Sequence, residues 1–415
     1  MRKVWLGLLA VVHASQWDSR SWLLDQHRPF VPRPQLFPYT RREHVSILTD
    51  QVDAGAVDCL GESLGKWYKK RVVEEVNLHY SAPMNDVDSD VAIMNGSLVL
   101  LQLGTRIAES RFTTVMAVDN RTEIVVKYQL HHTRGFDIHP LMRDFFFLDL
   151  LQDLKIAPTP HFLSPATRPE PALSAAPKIR SFGQRGRSAV RFMVLDRVTA
   201  TVNDLIRQGV VMALPPSLED VLHMLEDAID AMKLMHDRGV IHGDVHSGNL
   251  AVLGGNKRRV GFIDFGLAFH IDETRYRPAM TYRPQTAVEC FHTHWNMDGY
   301  RPSFRDDMLR LLMVGGHMLN GLKWLNHCRA LAANPQVVLM HKSGGNLFGV
   351  PGSPFLSGVH VSKRGRVEKY LESALSLSRS VPGLDQRPPY DNIKNALRSA
   401  RRLVEEELCI SCSAM

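Results

Sequence analysis

Four side chains of this 415-residue chain have the types and spacing to do chemistry together: Lys127, Asp244, Asn249 and Asp264. Asp244 and Asn249 stand in residues 240–252 (VIHGDVHSGNLAV), and Asp264 stands in the Asp-Phe-Gly triplet of residues 260–268 (VGFIDFGLA). A strand-like apolar run flanks each polar cluster, so both clusters are predicted on turns at strand ends. One carboxylate offered to a substrate hydroxyl and an Asn/Asp pair offered to Mg²⁺ are what phosphoryl transfer needs. Two such clusters, in this order and about a hairpin apart, carry more information than either triplet, because the spacing is part of the site.

Lys127 closes the alternating run Ile124-Val125-Val126-Lys127. Val125 and Lys127 share a strand face, which sets an apolar surface for adenine beside an ammonium for the α- and β-phosphates. Asp244 is the candidate base for the acceptor hydroxyl, with Asn249 and Asp264 as metal ligands. His242 is expected to pack beneath the turn and brace its backbone, and Gly266 to give the metal-binding turn its freedom. A strand-end lysine is ordinarily just solvated, and an Asp in a Gly-containing turn is ordinarily a turn former. That plainer account does poorly with three such turn residues downstream of one lysine.

The elements that must position these residues change character along the chain. Apolar runs rich in β-formers predict strands at 97–103, 111–119 and 122–128. A helix is predicted at 139–154, with Leu141, Phe145, Leu148 and Leu151 on its apolar face, followed by short strands at 161–163 and 190–198. Residues 164–188, rich in Pro, Ala, Ser and Arg, read as a mobile insertion. From Ser217 the pattern is helical: Ser217 is a candidate N-cap with Asp220 three residues on. Leu218, Leu222, Leu225, Ile229, Met232 and Met235 then step along one face into the His-Gly-Asp turn. Further helices are predicted at 307–319, 367–377 and 392–407. Strands first and helices afterwards give an α+β, two-lobed architecture, with one lobe at 97–198, the other at 199–407, and a cleft between them.

A hydrophobic content of 44% and a charged content of 22% are those of a globular protein with ample core. The formal charge of +7 and a pI near 9.2 read as a dispersed basic surface. No Lys/Arg run with interleaved aromatics suggests nucleic-acid binding. Residues 1–14 have a charged start, a short apolar run and small residues at a cleavage position, the layout of a secretory signal peptide. The mature chain would begin near Ser15 in the secretory pathway. Residues 15–90 read as an Arg/Pro-rich extension, with a short helix at 68–78; its basic charge suits an anionic membrane or an acidic partner. Five cysteines leave at least one without an intrachain partner. Cys409 and Cys412 form a CxxC, read as part of a tail at 408–415 with a local disulfide and no zinc site.

From about Ser97 to Glu407 the chain resembles a eukaryotic-type protein kinase. Residues 190–205 (VRFMVLDRVTATVNDL) resemble the fifth strand and hinge of casein-kinase-1-like enzymes. The resemblance implies Leu195 as gatekeeper, with Asp196 and Val198 lending backbone groups to adenine. Residues 303–316 (SFRDDMLRLLMVGG) resemble the helix that anchors the catalytic loop in that group, with Asp307 as the anchoring carboxylate. Residues 384–397 (LDQRPPYDNIKNAL) resemble its C-terminal Pro-Asp-Tyr region. With a signal peptide and a basic leader, the chain is similar to the secreted rhoptry kinases of apicomplexan parasites. This implies an ATP- and Mg²⁺-dependent Ser/Thr protein kinase with a protein substrate, located in the rhoptry or parasitophorous vacuole.

Four departures from the pattern matter. In residues 103–115 (LGTRIAESRFTTV) the glycine-loop positions fall on Ala108, Ser110 and Thr113, as in the rhoptry-kinase branch that lacks a glycine loop. Bulkier residues there keep backbone amides from closing over phosphates. Gly243 replaces the Arg that contacts a phosphorylated activation loop. No Glu is in register to pair with Lys127; Asp144 is, one methylene shorter, with Asp149 as the other candidate. His246 stands where Ser/Thr kinases have Lys, and HGDxHxGN is also the pattern of small-molecule kinases of the aminoglycoside phosphotransferase type. Protonated, His246 could assist the transferring phosphoryl group. Two alternatives to the protein kinase stay open: a pseudokinase acting as a binding scaffold, and a small-molecule kinase.

Overall fold

The alternating run at the heart of the sequence pattern becomes the central strand of a sheet, with Ile124, Val125, Val126, Lys127 and Tyr128 all buried. In the computed structural model the described residues are 90–94, 97–109, 113–129, 140–163, 192–211, 216–254, 259–271, 288–293, 302–331, 347–348, 356–357, 359–381 and 386–413. The expected signal peptide, the helix at 68–78 and the insertion at 164–188 lie outside them, as does the extension up to residue 89.

Strands β1 (Asp90–Met94) and β2 (Ser97–Leu101) pair antiparallel. β3 (Leu103–Glu109), β4 (Thr113–Val118), β5 (Ile124–Gln129), β6 (Pro160–Leu163) and β7 (Phe192–Asp196) form an antiparallel sheet in the order β3-β4-β5-β7-β6. Two details differ from the sequence reading. The single strand expected at 97–103 breaks at exposed Gln102 into β2 and β3, and β1 reaches back to Asp90, which had been assigned to the extension. Helix α1 (Pro140–Leu151) lies against β6 and β7. It buries Leu141, Phe145, Leu148 and Leu151, the face its periodicity predicted.

The second lobe is mainly helical. After β8 (Ala200–Thr201) and α2 (Val202–Val211), helix α3 (Leu218–Asp237) starts on the expected capping box. The Asp220 amide donates to Ser217 Oγ at 3.1 Å, and the Ser217 amide donates back to Asp220 Oδ2 at 3.3 Å. Such a cap contributes about 1 kcal/mol. Short strands β9 (Val240–Ile241), β10 (Leu250–Leu253), β11 (Arg259–Phe262) and β12 (Phe269–His270) follow. Helix α4 (Phe304–Asn320) is buried on nearly every side and packs on α3. It begins three residues before the predicted 307 because Ser303 caps it, accepting from the Asp306 amide at 3.3 Å.

Helix α5 (Leu322–Leu331), absent from the sequence reading, follows directly. Its Cys328 forms a disulfide with Cys290 in the 3-10 turn Val288–Phe291, 38 residues away in the chain. Closing a loop of that length restricts the unfolded chain by roughly 3–4 kcal/mol. Helices α6 (Val361–Arg379) and α7 (Tyr390–Ser413) pack on each other, and α7 packs on α3. α7 runs to Ser413, so the CxxC assigned to a tail is helical. The α3–α7 seam is charged: nearly buried Glu226 accepts from Arg398 at 3.2 Å and Arg401 at 2.8 Å, and Lys233 meets Asp391 at 2.9 Å. Among the described residues no helix is long and apolar enough to cross a membrane.

Candidate active site

Helix α3 delivers the chain through β9 into the turn at 242–249, and α4 holds that turn from below. Asp307 accepts the His242 amide at 2.6 Å on Oδ2 and the Gly243 amide at 3.0 Å on Oδ1. Arg310 donates to the Gly243 carbonyl at 2.5 Å. Because Asp307 can only accept, His236 Nε2 donates to it at 3.2 Å, and the Tyr390 hydroxyl completes the relay at 2.5 Å from His236 Nδ1. Burial pushes the His236 pKa down, against the pull of Asp307, which suits this neutral bridging role. The segments carrying the kinase resemblance, around Asp307 and Tyr390, therefore meet through one histidine beneath the turn.

Gly243 has φ +73°, and a Cβ there would sit 3.1 Å from the Leu267 carbonyl oxygen. The left-handed backbone gives the departure from Arg a structural reason. His242 braces the turn: Nε2 donates to the Ile263 carbonyl at 3.1 Å, Nδ1 accepts the Asp244 amide at 3.3 Å, and the ring lies 4.8 Å from that of Phe265.

The β10–β11 hairpin joins the two polar clusters. Leu250 pairs with Phe262, and the Ile263 amide donates to the Asn249 carbonyl at 3.0 Å, so Asn249 and Asp264 emerge side by side at its mouth. Asn249 Nδ2 donates to Asp244 Oδ2 at 3.2 Å and to the Asp244 carbonyl at 3.0 Å. Asp264 has φ +63°, uncommon for a residue with a Cβ and a conformation found at functional turns.

Lys127 reaches across from β5. Its Nζ lies 2.7 Å from Asp144 Oδ2 and 2.9 Å from Asp264 Oδ1. Of the two candidate acids on α1, Asp144 is thus the partner, while Asp149 interacts with Gln152 in the 3-10 turn that follows the helix. The shorter arm suffices because α1 lies against the Asp-Phe-Gly turn. Asp144 Oδ1 accepts the Phe265 amide at 2.8 Å, and its neighbour Arg143 donates to the Ala268 carbonyl at 2.7 Å. Arg143 was not singled out from the sequence; its place beside Asp144 on α1 was the available signal.

Burial disfavours the Lys127 ammonium, but Asp144 and Asp264 outweigh it and hold its pKa above the ordinary value. Burial likewise opposes ionised Asp264, and Lys127 overrides it. Asp244 sits well below the usual carboxylate range: burial works against its charge, and His246 followed by Arg310 more than offsets this.

On the adenine side, Val125 pairs with Leu195, and both are buried. The Asp196 amide is committed to the Thr159 carbonyl at 3.0 Å. Its carboxylate is engaged by His161 Nε2 at 2.7 Å and the Thr159 amide at 3.2 Å. Any contribution of Asp196 to adenine must then come from its carbonyl oxygen. Half-buried Val198 lies in the connection that follows. In the β3–β4 hairpin, Ala108 is exposed opposite Val115, and its carbonyl accepts Thr114 Oγ1 at 3.2 Å. Thr113 is a buried strand residue opposite Gln129, and Ser110 lies outside the described residues.

His246 is placed beside the candidate base, with Nε2 3.7 Å from Asp244 Oδ2. The Gly248 amide donates to His246 Nδ1 at 3.0 Å, so the ring presents an Nε2–H donor toward Asp244.

Hard oxygen donors suit Mg²⁺, which takes one or two carboxylates and completes its shell from phosphate and water. Asp264, with a side chain 43% exposed and only Oδ1 turned to Lys127, fits that demand. Asn249 fits through its amide oxygen, since its nitrogen is engaged by Asp244. Among the described residues no group of three or more His, Cys, Asp or Glu could hold a metal ion.

Residues 158–274 match the family model of the phosphotransferase enzyme family, APH. The matched span runs from just before β6 to just past the Asp-Phe-Gly turn, taking in Asp196, Asp244, His246, Asn249 and Asp264 but neither Lys127 nor Asp144. The match is to a phosphotransferase family of the protein-kinase-like superfamily, and it says nothing specific to casein kinases or rhoptry kinases. No curated protein matches the chain.

Proposed function

We propose that this chain transfers the γ-phosphoryl group of ATP to a Ser or Thr hydroxyl of a protein substrate. The observation that carries the phosphotransfer reading is Lys127 held between Asp144 and Asp264, with Asn249 one hairpin register from Asp264. Lys127 grips the α- and β-phosphates, Val125 and the backbone at Asp196 and Val198 receive adenine, and Asp264 with Asn249 would hold Mg²⁺. Bound there, the ion would neutralise charge developing on the phosphates. Asp244 stays ionised, orients the acceptor hydroxyl and accepts its proton late, as befits a loose transition state. His246 Nε2 faces the same carboxylate at 3.7 Å.

The protein acceptor is supported by the relay from Tyr390 through His236 to Asp307, which joins the two segments resembling a casein-kinase-like lobe. A small-molecule hydroxyl is the second reading, favoured by His246 with Gly248 and by the span of the family match. Secretion is supported by the Cys290–Cys328 disulfide, which persists in an oxidising compartment.

Purified chain with Mg²⁺, labelled ATP and a mixed protein substrate tests this reading. Label on Ser or Thr that Asp244→Ala and Asp264→Ala each reduce by about 10²-fold or more is the expected outcome. ATP consumption only with an added metabolite moves the acceptor to the second reading. Nucleotide binding without any transfer rejects both readings and leaves a scaffold.

A further inference from the structure

Behind the catalytic turn lies a group of side chains with no part in the chemistry just described. The Phe291 ring centroid is 6.1 Å from that of His246, 5.7 Å from His317 and 4.9 Å from Trp324. This aromatic group touches the turn twice, because His317 Nδ1 also shares a hydrogen bond with Ser247 Oγ at 3.1 Å. Its far end is fixed by Trp324 Nε1, which donates to the Leu347 carbonyl at 3.2 Å. Cys290, the neighbour of Phe291, is bonded to Cys328, one helical turn beyond Trp324 on α5. One covalent bond and one aromatic stack therefore fasten the same short segment to the same helix.

The His246 ring needs such support. One edge is set by the Gly248 amide, and the opposite edge faces Asp244. The approach to Gly248 is so close that a Cβ there would lie 2.8 Å from the ring. Two edge contacts leave the ring free to tilt unless a neighbour limits it, and Phe291 lies beside it with the two ring planes tilted by 38°.

We propose that Phe291 is a positioning residue for His246, and that the Cys290–Cys328 disulfide holds Phe291 in place, so that turnover depends on the oxidation state of this cysteine pair. The inference about turnover rests on the phosphotransferase reading; the positioning of the ring does not. Reduction is a two-electron step. A dithiol such as dithiothreitol gives two electrons and two protons to the S–S bond, which breaks to two thiols, while the reductant closes to its own cyclic disulfide.

The test compares the oxidised full chain with dithiothreitol-treated chain, with the Cys290→Ser/Cys328→Ser pair, and with Phe291→Ala and Phe291→Tyr. Expected is a fall in kcat of about 10-fold on reduction, in the double Ser variant and in Phe291→Ala. The KM for ATP should change by less than about two-fold, Phe291→Tyr should keep most of the rate, and adding Phe291→Ala to the double Ser variant should cost little more. Unchanged kcat in the double Ser variant, or a matching rise in KM, overturns the proposal and leaves the disulfide a staple of stability alone. The His246 ring proton resonance, identified by its loss in His246→Gln, is followed by NMR in the same samples. A ring-current shift that disappears with Phe291→Ala and with loss of the disulfide supports the positioning, and an unmoved resonance refutes it. If the oxidised chain transfers nothing, the phosphotransferase reading fails, and the resonance still decides whether Phe291 holds the ring.

Discussion

In the turn at 242–249 two backbone amides and a carbonyl are taken up by the buried Asp307 and Arg310, whereas in the β3–β4 hairpin five consecutive residues, 105–109, lie exposed. The same protein thus builds the acceptor side of its candidate site from charge-assisted bonds away from water. The strand pair proposed to cover the nucleotide leaves much of β3 bare and has no glycine at the expected positions. A hydrogen bond to a buried charge is worth about 1.5–3 kcal/mol, whereas an exposed ion pair such as Arg106 with Glu109 is worth roughly 0–1 kcal/mol. The difference teaches where precision is concentrated: the groups proposed to meet the hydroxyl and the metal are firmly held, and in that reading grip on the nucleotide is left to Lys127 and the hinge.

The contrast is broken most severely by Asp307→Ala. It strands two buried amides and His236, and is expected to cost about 3–5 kcal/mol in chemical denaturation and to abolish turnover. Gly243→Arg comes next. A side chain forced into the left-handed region against the Leu267 carbonyl should lose about 1–3 kcal/mol, visible as a lowered Tm, with a parallel loss of rate.

A pH series sharpens the comparison on the same side. Burial lowers the His317 pKa to about 4 from 6.5, so between those values the unfolded chain takes up a proton that the folded chain refuses. Stability must therefore fall as the pH drops through this window, by about 1.5 kcal/mol from pH 6.5 to 5. Denaturation curves of His317→Gln should lose that part of the pH dependence. The exposed hairpin supplies the smallest effect: Arg106→Ala is expected to shift stability by no more than about 0.5 kcal/mol. A larger change there would mean that the hairpin is not the loosely held partner in this comparison.

Local pattern made much of this legible. The period-two run ending at Lys127, the Ser217–Asp220 cap and the apolar face of α1 are local features, and each emerged where its spacing placed it. The choice between Asp144 and Asp149 was not local. It depends on how α1 is rotated and how closely it lies on the Asp-Phe-Gly turn. The cysteines illustrate the same limit: proximity in sequence pointed to Cys409 and Cys412, while a pairing across 38 residues joins Cys290 to Cys328. Helix α7 likewise continues past the predicted 407 through the CxxC to Ser413.

The opening set of Lys127, Asp244, Asn249 and Asp264 followed from the sequence by itself, since residue type and short spacing prescribe which atoms a turn or strand end can present. The resemblance already pointed to Asp307 under the turn; only the tertiary structure chose Asp144 over Asp149 beside Lys127 and set Phe291 behind His246. Those contacts join residues far apart in the chain, and packing, which has no short period to read, is what brings them together.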